Sequence, residues 1–225
     1  MSTKLLQANL NHARRAQDLF LSDLCKRDAG LGVAAEPYRV LDSDPNWVSA
    51  SNGSVVIVRR HYPRFPLPLT LVERGGIRYG AVGCLLRDKG LCPSRRPHLE
   101  FLEQLQEMRE GIRRCLPHPV LVAGDFNAWH QEWGSRLTNI RGEAVRDWAA
   151  GLGLLLQNRG SVSTCVHPRG ESIVDLTWAF LRAAHLVRTW GMADRESLSD
   201  HFYIEMVLTA TPPGGADPPP STKGQ

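Results

Sequence analysis

The sequence has little lysine, no paired cysteines and no long apolar run, and each scarcity excludes a class of protein. Its five cysteines are odd in number and include no CxxC pair. That usage argues against a disulfide framework or a structural zinc site and favours a reducing compartment. No run approaches the about 18 apolar residues that a membrane span needs, and the N-terminal stretch lacks a signal-peptide core. We therefore expect an intracellular protein without a membrane segment.

The basic charge of the chain comes almost entirely from arginine. Four lysines accompany 23 arginines, and the formal net charge is +4. Arginine keeps its charge and grips phosphate with a planar fork, so the skew favours a polyanionic partner. An arginine-rich coding bias would give the same skew, so composition leaves nucleic-acid binding open. The 225 residues, with a hydrophobic fraction of 42%, fit one domain with its own core.

Hydrophobic periodicity predicts many strands and few helices. The expected strands are 4–9, 31–35, 53–60, 68–73, 77–86, 119–124, 154–158, 172–180, 185–192 and 202–210. The expected helices are 12–28, with Asn11 as its N-cap, then 97–116 and 142–153. Tight turns between strands favour a mixed or antiparallel sheet pair flanked by helices. Residues 1–210 form this domain, and the Pro/Gly-rich stretch 211–225 is predicted to be a disordered tail or linker.

Polar residues stand where several predicted strands end. They are Asn9, Glu36, Asp125 with Asn127, Asp175 inside "SIVDLTW", and Asp200 with His201. Any one of these has an ordinary structural explanation, because turns and sheet edges often carry polar groups. Five segments with the same pattern are harder to explain in that way. Loops at one sheet edge converge on one place, so the pattern predicts a site there.

The residue types indicate the kind of ion and the chemistry. Carboxylates without clustered cysteines or histidines favour a hard ion such as Mg²⁺ over zinc, with Glu36 and Asp200 as candidate ligands. Asp125 is a candidate to accept a proton from water. Asn127 is then a donor to an oxyanion. Together these groups suit attack of water on a phosphodiester.

A buried Asp175 beside His201 would hold the imidazole in one tautomer and favour its charged form. In the segment "GDFNAWHQEWGS", His130 is a weaker candidate for substrate contact. Trp133 is predicted to pack against the sheet, whereas Trp129 is left between stacking on bases and packing. The remaining histidines are expected at the surface or at helix ends, and they are His12, His61, His98, His118, His167 and His185.

The motifs "QAN", "EPY", "GDFNAWHQEWGS", "SIVDLTW" and "SDH" occur in the order and spacing of the endonuclease/exonuclease/phosphatase superfamily. Over roughly residues 4–208 the chain resembles the apurinic-type endonuclease domain of non-LTR (LINE-type) retrotransposons. The resemblance implies an α/β fold of the DNase I type, a four-layered sandwich with two packed mixed sheets flanked by helices. It also implies Mg²⁺ as cofactor, with Mn²⁺ as an alternative, and cleavage of double-stranded DNA that leaves a 3′-hydroxyl.

The resemblance also assigns roles to residues. Glu36 would be the principal metal ligand, with Asn9 assisting at the metal and phosphate and Asp200 near both. Asp125 would activate or orient the water, supported by Asn127. Asp175 would pair with His201. Thr164 and Ser172 would line the DNA side of the cleft. The expected partner is the reverse transcriptase of the same polyprotein, the expected state is monomeric, and the expected location is the nucleus.

Two residues depart from the family pattern. Asn11 stands where many members carry an aspartate, and Leu85 stands where members usually carry a tyrosine that contacts the scissile phosphate. The nearest aromatic residue on that strand is Tyr79. Loss of one such donor costs on the order of 10²–10³ in rate. The alternatives to an active nuclease are therefore a catalytically impaired DNA-binding remnant, or a phosphatase or phosphodiesterase of the same superfamily.

Overall fold

The computed structural model of the protein describes residues 2–41, 43–49, 53–60, 71–73, 76–77, 81–85, 96–168, 170–194 and 196–209. Its strands are β1 Ser2–Asn9, β2 Ala29–Ala35, β3 Trp47–Ser49, β4 Val55–Arg59, β5 Leu71–Glu73, β6 Gly76–Ile77, β7 Ala81–Leu85, β8 Leu121–Asp125, β9 Leu154–Leu156, β10 Cys165–His167, β11 Gly170–Ser172, β12 Asp175–Phe180, β13 Val187–Met192 and β14 Ile204–Thr209. Its helices are α1 Arg14–Lys26, α2 Arg96–Cys115, α3 Ile140–Leu152 and α4 Leu181–Ala184, with a 3₁₀ turn at Gln131–Trp133.

Two mixed sheets form the centre of the fold. One has six strands in the order β13-β14-β1-β2-β4-β3, and the other has four in the order β7-β8-β12-β9. In the first sheet β1 runs parallel to β2 and antiparallel to β14. In the second, β8 runs parallel to β7 and antiparallel to β12. Since parallel and antiparallel neighbours occur in both sheets, the expected mixed pair is confirmed.

Three apolar clusters hold the layers together. Leu5, Leu121 and Ile204 belong to the cluster between the two sheets. Phe20 belongs to the cluster that packs α1 on the outer face of the six-stranded sheet. Trp148 belongs to the cluster that packs α2 and α3 on the outer face of the four-stranded sheet. Burial of each such side chain contributes about 1.5–3 kcal/mol. The expected four-layered α/β sandwich is confirmed.

The first helix begins later than the sequence pattern predicts. It starts at Arg14, and its N-cap position is Ala13, which offers no side-chain cap. Asn11 is not the cap, because its backbone is left-handed with φ of 45°. Its backbone N–H binds the Asn9 side chain instead, with Oδ1 2.9 Å away. The turn between β1 and α1 is therefore shaped by the site that it borders.

The other long helices lie close to their expected bounds, and β10, β11 and α4 are elements that periodicity did not separate. Trp133 is 2% exposed, which confirms its predicted packing role. No helix within the described ranges is long and apolar enough to cross a bilayer. The predicted tail 211–225, His61 and Tyr79 lie outside the described residues.

Candidate active site

Three strand ends from both sheets bring polar side chains to one edge of the sandwich. Asp125, which ends β8, lies directly across from Asp175, which begins the antiparallel β12. Asn9 ends β1 in the other sheet, and its Nδ2 donates to Asp125 Oδ2 at 3.1 Å. That buried hydrogen bond joins the two sheets at the edge where the sequence predicted a site.

Asp175 and His201 form a buried pair beside Asp125. His201 Nδ1 lies 2.7 Å from Asp175 Oδ2, and the two residues are 8% and 2% exposed. A β-bridge to Cys165 also fixes the backbone of His201. One ligand atom from each of Asp125, Asp175 and His201 falls within 4.8 Å of the others. The predicted contact between Asp175 and His201 is thus present in the structure, next to the third residue.

Burial and the neighbouring charges raise the pKa values of Asp125 and His201, which favours the protonated form of each. Burial, and next the neighbouring Asp175 carboxylate, raise the pKa of Asp125 to about 7. Burial alone would lower the pKa of His201. The attraction and hydrogen bond of Asp175 outweigh that effect and raise the His201 pKa to about 11. His201 is therefore an imidazolium at neutral pH, while Asp125 exchanges a proton there.

The loop after β8 aims Asn127 back at Asp125. The backbone N–H of Asn127 donates to Asp125 Oδ1 at 2.8 Å, and its side-chain Nδ2 donates to Oδ2 at 3.2 Å. This conformation requires a left-handed backbone at Asn127, with φ of 46°. Asparagine tolerates that region better than most side chains. The Asp-Phe-Asn segment therefore fixes the carboxylate orientation by local geometry.

The same loop is tied to the start of α3. Asn139, the N-cap of α3, accepts hydrogen bonds from the N–H groups of Gly142 and Trp129. A Cβ on Gly142 would meet the Trp129 carbonyl oxygen at 1.9 Å, so only glycine permits this approach. Trp133 packs edge-on against Trp178 at 6.0 Å. The aromatic part of the motif thus supports the loop that carries Asp125 and Asn127.

Glu36 lies at the same edge but on its more open side. It follows β2, whose last residue, Ala35, pairs with Asn9. Its backbone N–H binds the Ser54 carbonyl at 2.8 Å, and its Oε2 lies 3.9 Å from His12 Nε2. The Glu36 side chain is 19% exposed. This position suits a ligand that meets an ion arriving from solvent.

Asp200 also lies on the open side, next to His201 in the chain. Its Oδ2 lies 3.1 Å from His167 Nδ1 and accepts from Asn11 Nδ2 at 3.4 Å. The Asp200 side chain is 41% exposed. The structure therefore places both predicted outer ligands, Glu36 and Asp200, beside a histidine.

Strained backbone is concentrated around the candidate site. Asn11, His12, Glu36 and Asn127 all have φ between 45° and 53°. Non-glycine residues adopt this region at a cost of about 1–3 kcal/mol each. Four such residues on three segments around one cluster indicate that local stability has been given up for side-chain placement.

Three weaker substrate-contact expectations have different outcomes. Thr164 is fully buried, and its Oγ1 accepts from the backbone N–H groups of Val174 and Asp175. It positions Asp175 and does not face a cleft. His130 caps the 3₁₀ turn by accepting from the Glu132 N–H, and its ring packs 5.0 Å from that of Trp133, so its role here is structural.

Ser172 lines a cleft formed by segments that follow Asn127 and precede Asp175 in the chain. The cleft has a volume of about 360 Å³. Its walls include Trp129, Ser135, Arg136, Ser163 and Ser172. Trp129 is 45% exposed there, so it does not serve as a plug in the core.

The position of Leu85 follows from strand register. It ends β7, which runs parallel to β8, and its partner in that ladder is Asp125. Leu85 is therefore adjacent in the sheet to the central carboxylate. This register agrees with the alignment that sets Leu85 in place of the family tyrosine.

Two histidines at the site were not anticipated as site residues. His12 and His167 are half-exposed, as expected for surface residues, but each lies beside a predicted metal ligand. Neither stands in a motif with recognisable spacing. Their contacts depend on chain segments 24 and 33 residues away, so no local pattern could have found them.

The site suits a hard divalent cation. Two buried carboxylates, Asp125 and Asp175, lie side by side, and burial together with the Asp175 charge raises the pKa of Asp125. A bound cation would stabilise the ionised form of both carboxylates. Glu36 follows β2 and Asp200 precedes His201 in the chain, and carboxylate oxygens are the ligands that Mg²⁺ and Mn²⁺ prefer. The residues present therefore fit the ion that the resemblance implies.

Three solved structures share this fold. The endonuclease domain of TRAS1, a telomere-specific non-LTR retrotransposon, has a TM-score of 0.70 and 23% identity, over 92% of this chain and 98% of that domain. A 3′ phosphatase NExo from Neisseria, bound to product DNA hairpin, has a TM-score of 0.70 and 14% identity, over 92% of this chain and 99% of that chain. An AP endonuclease from Archaeoglobus fulgidus has a TM-score of 0.69 and 13% identity, over 92% of this chain and 99% of that chain. No curated protein sequence matches the chain.

The paired mixed sheets are the fold of these structures, and the family match over residues 91–205 shows that the chain belongs to the endonuclease/exonuclease/phosphatase superfamily, as the motifs predicted. Residues 91–205, just over half of the chain, match the family described as endonuclease-reverse transcriptase. The chain belongs to that family.

Proposed function

We propose that the protein is a Mg²⁺-dependent endonuclease that hydrolyses phosphodiester bonds in double-stranded DNA. The observation that carries this proposal is the buried cluster of Asp125, Asp175 and His201 at the edge where the two sheets meet. Buried carboxylates whose pKa is raised beside a specific charged partner are characteristic of active sites, which favours an active nuclease over an inactive remnant.

In this proposal the protein residues divide the work of hydrolysis. Asp125 orients the attacking water and takes its proton, for which a pKa of about 7 is well matched to neutral pH. Asn127 and Asn9 hold that carboxylate by direct hydrogen bonds. The His201 imidazolium, kept charged by Asp175, neutralises negative charge that develops on the phosphate.

Glu36 and Asp200 would hold the Mg²⁺, with Asn9 assisting. The ion, or Mn²⁺ in its place, supplies charge neutralisation at the phosphate when bound. The half-open positions of both carboxylates leave room for DNA beside them. We assign the cleft that contains Ser172 and Trp129 to the DNA side of the site.

The biological role that fits is nicking of a target site to leave a 3′-hydroxyl that primes reverse transcription. The family description and the TRAS1 endonuclease domain support this part of the proposal. It predicts a monomeric nuclease in the nucleus, working with a reverse transcriptase of the same polyprotein. The arginine-rich composition suits a DNA partner.

Supercoiled plasmid incubated with the protein tests the proposal. We expect relaxed circles with Mg²⁺ or Mn²⁺, none with EDTA, and none with Asp125→Ala, whose thermal melt should show an intact fold. Equal nicking by wild type and variant, in EDTA as well as Mg²⁺, would identify a contaminating nuclease. Phosphate release from a 3′-phosphorylated oligonucleotide without any nicking would point to the phosphatase alternative instead.

A further inference from the structure

The carboxylate of Asp200 is held by two side chains from different parts of the chain. His167 Nδ1 lies 3.1 Å from Asp200 Oδ2, and Asn11 Nδ2 donates to the same oxygen at 3.4 Å. His167 comes from the end of β10, whereas Asn11 comes from the turn before α1. One oxygen is thus fixed from two sides.

The hairpin that carries His167 is also joined to the backbone around Asp200. The N–H of Val166 donates to the Asp200 carbonyl at 2.8 Å, and the N–H of Phe202 donates to the Thr164 carbonyl at 2.8 Å. A β-bridge between Cys165 and His201 lies between these two bonds. The β10–β11 hairpin therefore sets both the main chain and the side chain of Asp200.

His167 also borders His201, the catalytic candidate that follows Asp200 in the chain. Its ring lies edge-on to that of His201, with centroids 6.5 Å apart and planes at 86°. His201 is buried against Asp175, whereas the His167 side chain is 50% exposed. His167 is consequently a solvent-exposed side chain of the hairpin that borders the site.

We propose that His167 is a positioning residue for the hydrolysis, holding the Asp200 carboxylate in one orientation next to His201. This inference rests on the proposed nuclease function. A contact between side chains as exposed as these adds little to the stability of the fold. Its consequence is the orientation of a carboxylate that only the longer Asn11 contact would otherwise hold on an open edge.

The test compares His167→Ala with His167→Asn in steady-state nicking of a DNA duplex. The amide nitrogen of asparagine can occupy nearly the place of Nδ1, so it can keep the donor. Loss of a side chain that hydrogen-bonds a metal ligand typically lowers metal affinity or activity 10–100-fold. We expect His167→Ala to lower kcat about tenfold with KM within about twofold of wild type, and His167→Asn to recover most of that loss.

His118→Ala is the matched control, because His118 is an exposed histidine in the turn between α2 and β8, at the opposite end of β8 from Asp125. Thermal melts of the two alanine variants should agree. In an Asp200→Ala background, His167→Ala should cost nothing further, as expected for residues that act as a unit. Additive losses, a change confined to KM, or kinetics equal to those of His118→Ala would each overturn the proposal.

Failure of the proposed function would look different. Wild-type protein that never nicks DNA rejects the nuclease, and the pairing is then judged without activity. Nitrogen NMR of the His167 ring, in wild type and Asp200→Ala without DNA, reports whether Nδ1 donates to that carboxylate. A changed Nδ1 signal supports the positioning contact, and an unchanged signal rejects it.

Discussion

The two sides of the candidate site are built in different ways. On the inner side, Asp125, Asp175 and His201 are at most 8% exposed and are held by direct hydrogen bonds within 3.2 Å. On the outer side, Glu36 and Asp200 are partly open and lie on loops with left-handed backbone nearby.

This difference in burial and hydrogen bonding shows which groups are fixed before substrate binds. Buried, satisfied side chains keep one geometry, and electrostatic effects are strongest where water is excluded. Partly open carboxylates stay in contact with solvent and can bind an ion that arrives from it. The inner side is therefore suited to the reacting atoms and the outer side to binding the ion and DNA.

The largest effect is expected on the inner side. Asp175→Asn and His201→Ala should each lower the nicking rate by about 10³-fold or more, and the double variant should be hardly worse. The reason is that Asp175 keeps His201 charged and oriented, so either loss removes both contributions. Initial rates on plasmid measure this. Independent, additive losses would mean that Asp175 is only a polar residue of the core.

A smaller and reversible effect is expected on the outer side. Glu36→Gln should lower nicking about 10–100-fold at low Mg²⁺, in the range of other losses around a metal site. Raising the Mg²⁺ concentration should recover part of the rate, because the lost charge weakens ion binding. Asp125→Asn should show no such recovery. Identical Mg²⁺ titrations for the two variants would remove the distinction between the sides.

The third prediction changes the strand beside Asp125. Leu85→Tyr would return a hydroxyl to the register position next to that carboxylate. One preorganised donor is worth roughly 2.7–4 kcal/mol, of which a grafted side chain recovers only a fraction. We expect about a tenfold gain in rate, or roughly 1.4 kcal/mol, with DNA binding little changed.

The competing outcome for Leu85→Tyr is overpacking, which costs about 1–3 kcal/mol of stability. A thermal melt run beside the nicking assay separates the two. A lowered melting temperature with no gain in rate would show that this position does not face the reaction.

The smallest effect is a pH dependence of stability in the metal-free protein. Folding raises the pKa of Asp125 from 3.8 to about 7 and that of His201 from 6.5 to about 11. Both groups bind protons more tightly when folded. Their contributions are fully present below the unfolded pKa values and are lost as pH rises through the folded ones.

We therefore expect the melting temperature in EDTA to fall by several degrees between about pH 6 and about pH 9, since about 1 kcal/mol shifts it by 2–4 °C at this size. The His201→Ala variant should show a flatter profile. A wild-type melting temperature that rises with pH over this range would contradict the charge assignment of the inner side.

Local sequence patterns predict the arrangement of the inner side of the site better than that of the outer side. An apolar strand that ends in Asp125 and an apolar segment that contains Asp175 are visible as patterns, and antiparallel pairing of β8 with β12 then sets the two residues side by side. The Asp-Phe-Asn turn is likewise local, because Asn127 binds Asp125 two residues away. The sequence predicts Thr164 at the DNA side of a cleft, whereas its buried hydroxyl binds the backbone at the start of β12, a contact that exists only in the folded chain.

What the sequence by itself determined is the order of elements, the two-sheet sandwich and the residues at strand ends, because periodicity and turn chemistry are properties of short segments. The tertiary structure alone decided which of those residues are buried, which hydrogen bonds join the sheets, and that His12 and His167 lie beside Glu36 and Asp200. It also moved the start of α1 and turned Asn11 toward Asp200. Contacts between segments far apart in the chain depend on packing of the whole domain, and no local pattern encodes them.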